Sequence, residues 1–270
     1  MKKALIVGIN YVGTFNRLRG CINDAHNIHK LLQETYKFDE IKLLLEQDAT
    51  TLGILEGLKW LTEGAQSNDT LVFFYSGHGS QLPSQLEPDG YEEIICPVDI
   101  NWADKVITDQ MLHDIFNRLQ NDINITLVLD CCNSGDALNQ AEKLEPIAGV
   151  FPILIKPWSD LSKFLPPPEG LQAQHPVQWS VSRDVNVSAI LIAACRSDQL
   201  AVDGYIDGIY QGASTAAMIK ECTKDPEVSY ENLVSSMTTF MLDNAFYQRP
   251  QLEGFRALYS KPFLSSFRIS

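Results

Sequence analysis

The 270-residue sequence predicts an α/β protein with a mainly parallel central sheet and helices on both faces. Short apolar runs typical of buried strands alternate with segments whose apolar residues recur at helical spacing. Two of these runs end abruptly in reactive residues, at His78 and at Cys132. Because ligands bind beyond the carboxyl ends of strands in open α/β sheets, we expect a functional site at that edge.

The individual elements follow from the same periodicities. Strands are predicted over residues 3–9, 40–46, 69–76, 125–130 and 188–194, with a weaker one over 93–98. Helices are predicted after Asn23, around Leu58, up to about Leu119, and over residues 213–221 and 231–244. Residues 137–187 are rich in proline and have few periodic positions, which predicts a surface loop or linker.

The two reactive strand ends carry a nucleophile and a base. Residues 72–79 read Val-Phe-Phe-Tyr-Ser-Gly-His-Gly, and residues 125–135 read Ile-Thr-Leu-Val-Leu-Asp-Cys-Cys-Asn-Ser-Gly. His78 can take the thiol proton of Cys132, and the resulting thiolate attacks an amide carbonyl. The backbone N–H groups of Gly79 and Cys132 are candidate donors to the developing oxyanion. This arrangement predicts cysteine-dependent acyl transfer.

A structural interpretation of the same residues is also available. An isolated histidine often ends a strand, and a free cysteine is commonly a small buried core residue. We favour the catalytic interpretation because both residues follow apolar runs that end at glycines in one chain.

Together with three further motifs, these two segments resemble the metacaspases, a family of the caspase-like clan of cysteine proteases. Residues 18–25 read Leu-Arg-Gly-Cys-Ile-Asn-Asp-Ala, residues 194–199 read Ala-Cys-Arg-Ser-Asp-Gln, and residues 248–252 read Gln-Arg-Pro-Gln-Leu. The resemblance covers residues 3–257 and is closest to the compact prokaryotic forms called orthocaspases. It implies a single caspase-like domain, with 1–136 as the large-subunit-like part, 137–187 as the linker and 188–270 as the small-subunit-like part. One departure is Asn133, where the family commonly has histidine. This departure implies altered rather than lost activity.

The resemblance also implies cleavage after arginine or lysine, in a pocket formed by Cys21, Asp24, Ser76 and Asp130. The residues support this independently, because Ser76 and Asp130 each lie two positions before a predicted catalytic residue and so share its face of the strand. Two carboxylates at that edge would pair with a guanidinium or an ammonium group. The alternatives are helix capping for Asp24 and a strand-end turn for Asp130.

The predicted linker holds possible self-cleavage sites for such a protease. Its basic residues include Lys143, Lys156, Lys163 and Arg183. An uncut surface loop is the alternative, since exposed basic residues are common.

Many metacaspases are activated by calcium. The positions that match their calcium-binding acids are Glu93, Asp109, Gln110 and Asn139, of which only two are carboxylates. Because calcium affinity depends on ligand charge, we predict activity without calcium and no cofactor. No cysteine and histidine spacing indicates structural zinc.

Composition narrows the class of partner. A formal charge of −13 disfavours nucleic acid and anionic membranes, and it suits peptides rich in arginine and lysine. Six cysteines without an export signal predict reduced thiols in the cytoplasm, and the resemblance implies a monomer. Two rival functions remain, a silent caspase-like peptide-binding module and a flavodoxin-like domain. The second would need a phosphate-binding turn that residues 8–13 do not supply.

Overall fold

The central feature of the fold is one six-stranded sheet with the order β12-β9-β7-β3-β1-β2. The computed structural model describes residues 1–85, 90–119, 122–132, 161–171, 189–197 and 199–265. The strands of this sheet are β1 (Lys2–Gly8), β2 (Glu40–Leu45), β3 (Thr70–Ser76), β7 (Asn124–Asp130), β9 (Ala189–Ala193) and β12 (Gln251–Gly254). Five of them are parallel, and β12 pairs antiparallel with β9. The five strands predicted with most support are confirmed to within one residue at either end.

Within the described residues, five α-helices cover the two faces of this sheet. They are α1 (Cys21–Glu34), α2 (Thr51–Thr62), α3 (Asp109–Phe116), α4 (Ala213–Lys224) and α5 (Tyr230–Asp243), and short 3₁₀ turns lie at Glu46–Asp48 and Arg256–Leu258. Helices α1, α4 and α5 pack on one face, and α2 and α3 pack on the other. The predicted fold class is therefore confirmed. The helix predicted to end near Leu119 ends at Phe116.

Two three-stranded sheets flank the carboxyl edge of the central sheet. One contains β4 (Gly79–Pro83), β5 (Tyr91–Ile95) and β6 (Ile107–Thr108), and the other contains β8 (Leu161–Ser162), β10 (Val202–Ile206) and β11 (Ile209–Gly212). Of these six strands, only β5 matches a predicted one. The others are too short or too polar to give a strand signal in the sequence.

Residues 161–165 of the predicted linker are not a surface loop, whereas residues 166–171 are irregular and mostly exposed. Residues 161–165 pair with β10 on one side and contact β4 on the other, and the side chain of Lys163 is fully buried. The prediction is wrong for this segment because its backbone adds strand pairing that proline-rich composition does not reveal. Residues 137–160 and 172–187 lie outside the described residues, and the three-part division of the chain stays a prediction.

The described helices are all too short or too polar to cross a membrane.

Candidate active site

The register of two neighbouring strands places the predicted catalytic pair at one edge of the sheet. Ser76 at the end of β3 lies opposite Asp130 at the end of β7. His78 lies two residues beyond Ser76, and Cys132 lies two residues beyond Asp130, so both follow paired positions on adjacent parallel strands. The predicted proximity of the two strand ends is thus a direct consequence of sheet register.

Two buried tyrosines hold the backbone of His78. The His78 N–H donates to the Tyr11 hydroxyl at 3.0 Å, and the Tyr75 hydroxyl donates to the His78 carbonyl at 2.7 Å. The ring of Tyr11 also lies against the imidazole, with 4.7 Å between centroids. Tyr11 itself has φ of 53°, an uncommon conformation for a bulky residue that costs about 1–3 kcal/mol. The strain lies in the residue that supports the predicted base.

The imidazole of His78 is oriented by a backbone carbonyl. Its Nε2 lies 2.7 Å from the carbonyl oxygen of Asn16. Because a carbonyl only accepts, Nε2 carries the proton and Nδ1 is the basic nitrogen of the neutral ring. Nδ1 is buried and has no hydrogen-bond partner. Burial lowers the pKa of His78, although the carbonyls of Asn16 and Lys163 partly oppose this shift, so the neutral ring is favoured.

The thiol of Cys132 is buried beside Ala201. The Ala201 N–H donates to its Sγ at 2.7 Å, and the thiol lies 3.5 Å from the Ala201 carbonyl oxygen. The structure brings Cys132 and His78 to the same edge of the sheet, but the thiol contacts Ala201 rather than the imidazole.

That segment passes through the site as an extended strand. The Lys163 N–H donates to the Ala201 carbonyl at 3.0 Å, and the Lys163 carbonyl accepts from the Gly79 N–H at 2.9 Å. The N–H of Leu165 donates to the Gly79 carbonyl at 2.9 Å. Between them, Phe164 packs against Cys132. The N–H that we predicted to bind an oxyanion therefore binds the carbonyl of Lys163.

The side chain of Lys163 enters the predicted basic-residue pocket. Its Nζ lies 3.0 Å from Asp130 Oδ1, 2.9 Å from Ser76 Oγ and 3.3 Å from Asp24 Oδ2. Cys21 is buried close by, where burial raises its pKa well above the usual range and the charge of Lys163 opposes the rise. All four predicted pocket residues thus surround one ammonium group.

Hydrogen-bond donors from other elements hold the two pocket carboxylates in place. Asp24 accepts from the Gly212 N–H at 2.9 Å and from the Ser76 hydroxyl at 2.7 Å. It does not cap its own helix, whose first N–H groups are bound by the side chain of Asn10. Asp130 Oδ2 accepts from the N–H and hydroxyl of Thr215 in the first turn of α4, while Oδ1 has only Lys163.

Burial shifts the pKa values of the charged groups in this pocket. Desolvation raises the pKa of Asp24 to about 7, with Lys163 acting in the opposite direction. For Lys163, burial alone would lower the pKa, but the facing carboxylates, Asp130 first, raise it well above its usual range. The ammonium is therefore charged and is stabilised by the carboxylates around it.

Sequence reasoning missed three residues of the site. Asp203 is a third buried carboxylate, which accepts from the Arg19 N–H at 2.6 Å and the Gly20 N–H at 3.1 Å. Gly212 forms a pocket wall where an added Cβ would lie 2.5 Å from Lys163 Nζ. Asn16 acts through its carbonyl, which no sequence pattern reveals. For these residues the sequence offers one signal, the acid at position 203 next to the glycine at position 204.

The described residues do not assemble a metal site. No three acidic, histidine or cysteine side chains cluster as ligands within the described ranges. Of the four positions considered for calcium, Glu93 lies in β5, Asp109 and Gln110 begin α3, and Asn139 lies outside the described residues. The Gln110 amide donates to Asp114. Activity without calcium stays a prediction.

A histidine and a cysteine at the carboxyl ends of neighbouring strands, in an α/β fold of this kind, define the class of caspase-like cysteine peptidases. Comparison with known proteins narrows the class to a family. The family model described as "Metacaspase, peptidase C14 domain" matches residues 2–141. The chain belongs to the metacaspase family.

Relatives agree with this assignment, and a solved structure agrees with the fold. The chain is 34% identical to Metacaspase-1 of Yarrowia lipolytica and 32% identical to Metacaspase-1 of Saccharomyces cerevisiae, in both cases over 93% of its length. It spans 61% and 66% of these two relatives. A crystal structure of a Geobacter sulfurreducens protein matches the fold with a TM-score of 0.73, covering 99% of each chain at 20% identity.

Proposed function

We propose that the protein is a cysteine endopeptidase that cleaves peptide bonds after arginine or lysine. Cys132 is the nucleophile, His78 is the general acid and base, and the N–H groups of Gly79 and Cys132 stabilise the oxyanion. The basic side chain before the cut bond enters the pocket of Cys21, Asp24, Ser76 and Asp130.

One observation carries this proposal. A lysine of the chain itself occupies the pocket, and its carbonyl accepts from the backbone N–H at the predicted oxyanion position. A bound peptide would place the residue before its cut bond in the same way. The seated lysine therefore supports both the pocket and the position of the reacting carbonyl.

The proposed reaction follows from the contacts of the two catalytic side chains. Nδ1 of His78 takes the thiol proton, and the thiolate attacks the carbonyl carbon while Gly79 stabilises the oxyanion. The imidazolium returns the proton to the leaving amine, which yields a thioester on Cys132. Water activated by His78 then hydrolyses the thioester and releases the new carboxyl end.

The pocket chemistry favours cations over anions. Asp24 and Asp130 face one ammonium group, so the acidic side chain of a substrate would be repelled from the pocket by these two carboxylates. The wall at Gly212 packs closely on the pocket, since an added Cβ would lie 2.1 Å from Asp130 Oδ2 and 2.5 Å from Lys163 Nζ.

Hydrolysis of fluorogenic peptides ending in Arg, Lys or Asp tests this function. We expect turnover of the Arg and Lys peptides, none after Asp, and none by Cys132→Ala. Asp130→Asn should lower kcat/KM for the Arg peptide at least about tenfold, because a charge-assisted hydrogen bond is lost. Asp48→Asn, an exposed acid away from the pocket, is the matched control. Cleavage after Asp, or equal turnover by Cys132→Ala, would contradict the proposal.

We also propose that the protein acts as a cytoplasmic monomer without a cofactor, as the sequence predicts. Turnover unchanged by a calcium chelator and elution as a monomer in size-exclusion chromatography are the expected results. The silent binding module remains the rival function. It requires folded protein that binds arginine peptides and never cleaves them.

A further inference from the structure

We propose that Glu46 is a positioning residue for the catalytic base, because its carboxylate holds Tyr11 in a strained conformation and Tyr11 holds His78. This inference rests on the peptidase function proposed above. It goes beyond that function, since the side chain of Glu46 binds the backbone at residues 10 and 12 rather than the substrate, the pocket or the thiol.

Three neighbouring strands bring these residues to the same edge of the central sheet. Strand β1 lies between β2 and β3, and its last residue is in register with the last residues of both. Glu46 directly follows the end of β2, Tyr11 comes three residues after the end of β1, and His78 comes two residues after the end of β3. The order of the three residues along this edge therefore follows from the register of the parallel strands.

The carboxylate of Glu46 binds the backbone on both sides of Tyr11. The Asn10 N–H donates to Glu46 Oε1 at 2.6 Å, and the Val12 N–H donates to Glu46 Oε2 at 3.2 Å. Tyr11 lies between these two donors with φ of 53°, and Glu46 itself has φ of 43°. Residues with side chains hold such conformations only where the surrounding contacts enforce them. Two charge-assisted hydrogen bonds from one carboxylate are contacts of this kind.

The side chain of Tyr11 carries this constraint to His78. Its hydroxyl accepts from the His78 N–H at 3.0 Å and donates to the Cys96 carbonyl at 2.6 Å, and its ring lies against the imidazole. Burial raises the pKa of Tyr11 well above the usual range, so the hydroxyl keeps the proton that it donates. Tyr75, which binds the carbonyl of His78, lies in β3 and is fixed by strand pairing. Tyr11 lies in a loop and has Glu46 in that role.

The backbone position of His78 matters twice for the proposed reaction. Proton transfer requires the acceptor nitrogen of the imidazole within hydrogen-bond reach of the thiol. The peptide bond that follows His78 carries the N–H of Gly79, which is assigned to the oxyanion. A shift of this backbone would therefore slow the chemical step, while the pocket that binds the basic side chain of the substrate would keep its carboxylates.

Steady-state kinetics on a fluorogenic arginine peptide tests the inference in a double-substitution cycle. We expect Tyr11→Phe to lower kcat about tenfold and Glu46→Gln to lower it about threefold, because each loses a hydrogen bond that fixes the base. KM should stay unchanged in both. Because Glu46 acts through the Tyr11 hydroxyl, the double variant should have the kcat of Tyr11→Phe alone, rather than the roughly thirtyfold loss of independent effects.

Two matched controls separate positioning from stability. Tyr230 is fully buried and its hydroxyl lies 2.7 Å from Thr126 Oγ1, away from the site, so Tyr230→Phe removes a comparable hydrogen bond. It should lower the melting temperature about as much as Tyr11→Phe and leave kcat unchanged. Glu40→Gln, at the exposed other end of β2, should change neither quantity.

The pH profile of Tyr11→Leu gives a second readout. Burial lowers the pKa of His78. Removing the aromatic ring admits water beside the imidazole and stabilises its charged form, so the acid limb of the kcat/KM profile should move to higher pH. A merely structural loss would lower the rate at every pH and leave the limb in place.

The outcomes separate this inference from the proposed function. Unchanged kcat in Tyr11→Phe, an equal loss in Tyr230→Phe, or independent effects in the double variant would overturn the inference and leave the peptidase standing. A rise in KM at constant kcat would also overturn it, because Glu46 would then act through Asn10, whose side chain binds the first N–H groups of the pocket helix α1. No turnover by the folded parent chain would overturn both.

Discussion

Lys163 balances two carboxylates that are costly to bury without a cation. Asp24 and Asp130 have no exposed surface, and the ammonium lies within 3.3 Å of both. Removing one partner of a buried ion group usually costs more than the group contributes when intact. The lysine is therefore important for the stability of the folded chain.

Lys163→Met in a Cys132→Ala background should lower the melting temperature, and more at pH 8 than at pH 5.5. Burial raises the pKa of Asp24 to about 7, and the ammonium opposes this rise. When the pKa of a group is higher in the folded chain than in the unfolded chain, the folded state loses stability as the pH rises through the folded-state pKa. At pH 5.5 Asp24 takes a proton, whereas at pH 8 two buried carboxylates face no cation, at a cost on the order of 3 kcal/mol.

Thermal unfolding at both pH values measures this difference. Lys261→Met, at an exposed position, is the control and should change neither melting temperature. An equal loss at the two pH values would mean that Asp24 does not respond to the lysine.

Peptide turnover should persist at mildly acidic pH. Burial lowers the pKa of His78 below its ordinary 6.5, so the neutral ring that accepts the thiol proton survives to lower pH. An ordinary histidine would lose about half its neutral form between pH 7.5 and 6.5. We expect a smaller fall in kcat/KM for the fluorogenic arginine peptide over this interval. A fall of half or more would contradict the buried environment of the ring.

At the level of elements, β4 provides the surface that binds the chain after the cut bond. The Ser80 hydroxyl donates to the Leu165 carbonyl, and the backbone of Gly79 contacts both sides of the bond. Substrates that extend past the cut bond should use the same strand, while small fluorogenic amides end before they reach it.

Ser80→Ala should therefore discriminate between two kinds of substrate of the proposed peptidase. We expect kcat/KM for peptides with two or more residues after the cut bond to fall about fivefold, the loss of one hydrogen bond near 1 kcal/mol. Turnover of aminocoumarin amides should stay unchanged, as should both activities of Ser235→Ala, an exposed control. An equal loss on both substrates would instead indicate damage to the oxyanion site.

The sequence predicts the elements that rest on strong periodicity and misses those that rest on tertiary contact. Apolar runs predicted β1, β3 and β7, and the ends of β3 and β7 gave the catalytic pair. The strands β8 and β10 are short and mixed in composition, and their pairing with each other and with β11 makes them strands. Asp203 and Gly212 lie in such strands, so local pattern could not assign them to the pocket.

At the scale of the whole molecule, one sheet joins the parts of the chain on either side of residues 137–187. Strand β9 lies between β7 and β12, with five residue pairs in register with β7. Helices α4 and α5 pack in the same core as α1. A cut within residues 137–187 would leave these contacts in place.

The two parts of Cys132→Ala cut by trypsin within residues 137–187 should therefore stay together. We expect one peak in native size-exclusion chromatography, at the volume of intact Cys132→Ala, and separate species only in denaturant. The physical reason is that separation would expose the apolar face shared by β7 and β9. Two native peaks would show that the linker, rather than the core, holds the parts together.

The proposed function requires that the pocket of Asp24 and Asp130 directs a cysteine nucleophile to bonds after basic residues. A peptide library digested with the enzyme, with the new carboxyl ends read by mass spectrometry, measures this specificity. We expect nearly all new ends to be arginine or lysine, and Cys132→Ala to produce none. New ends at aspartate, or ends without preference, would contradict it.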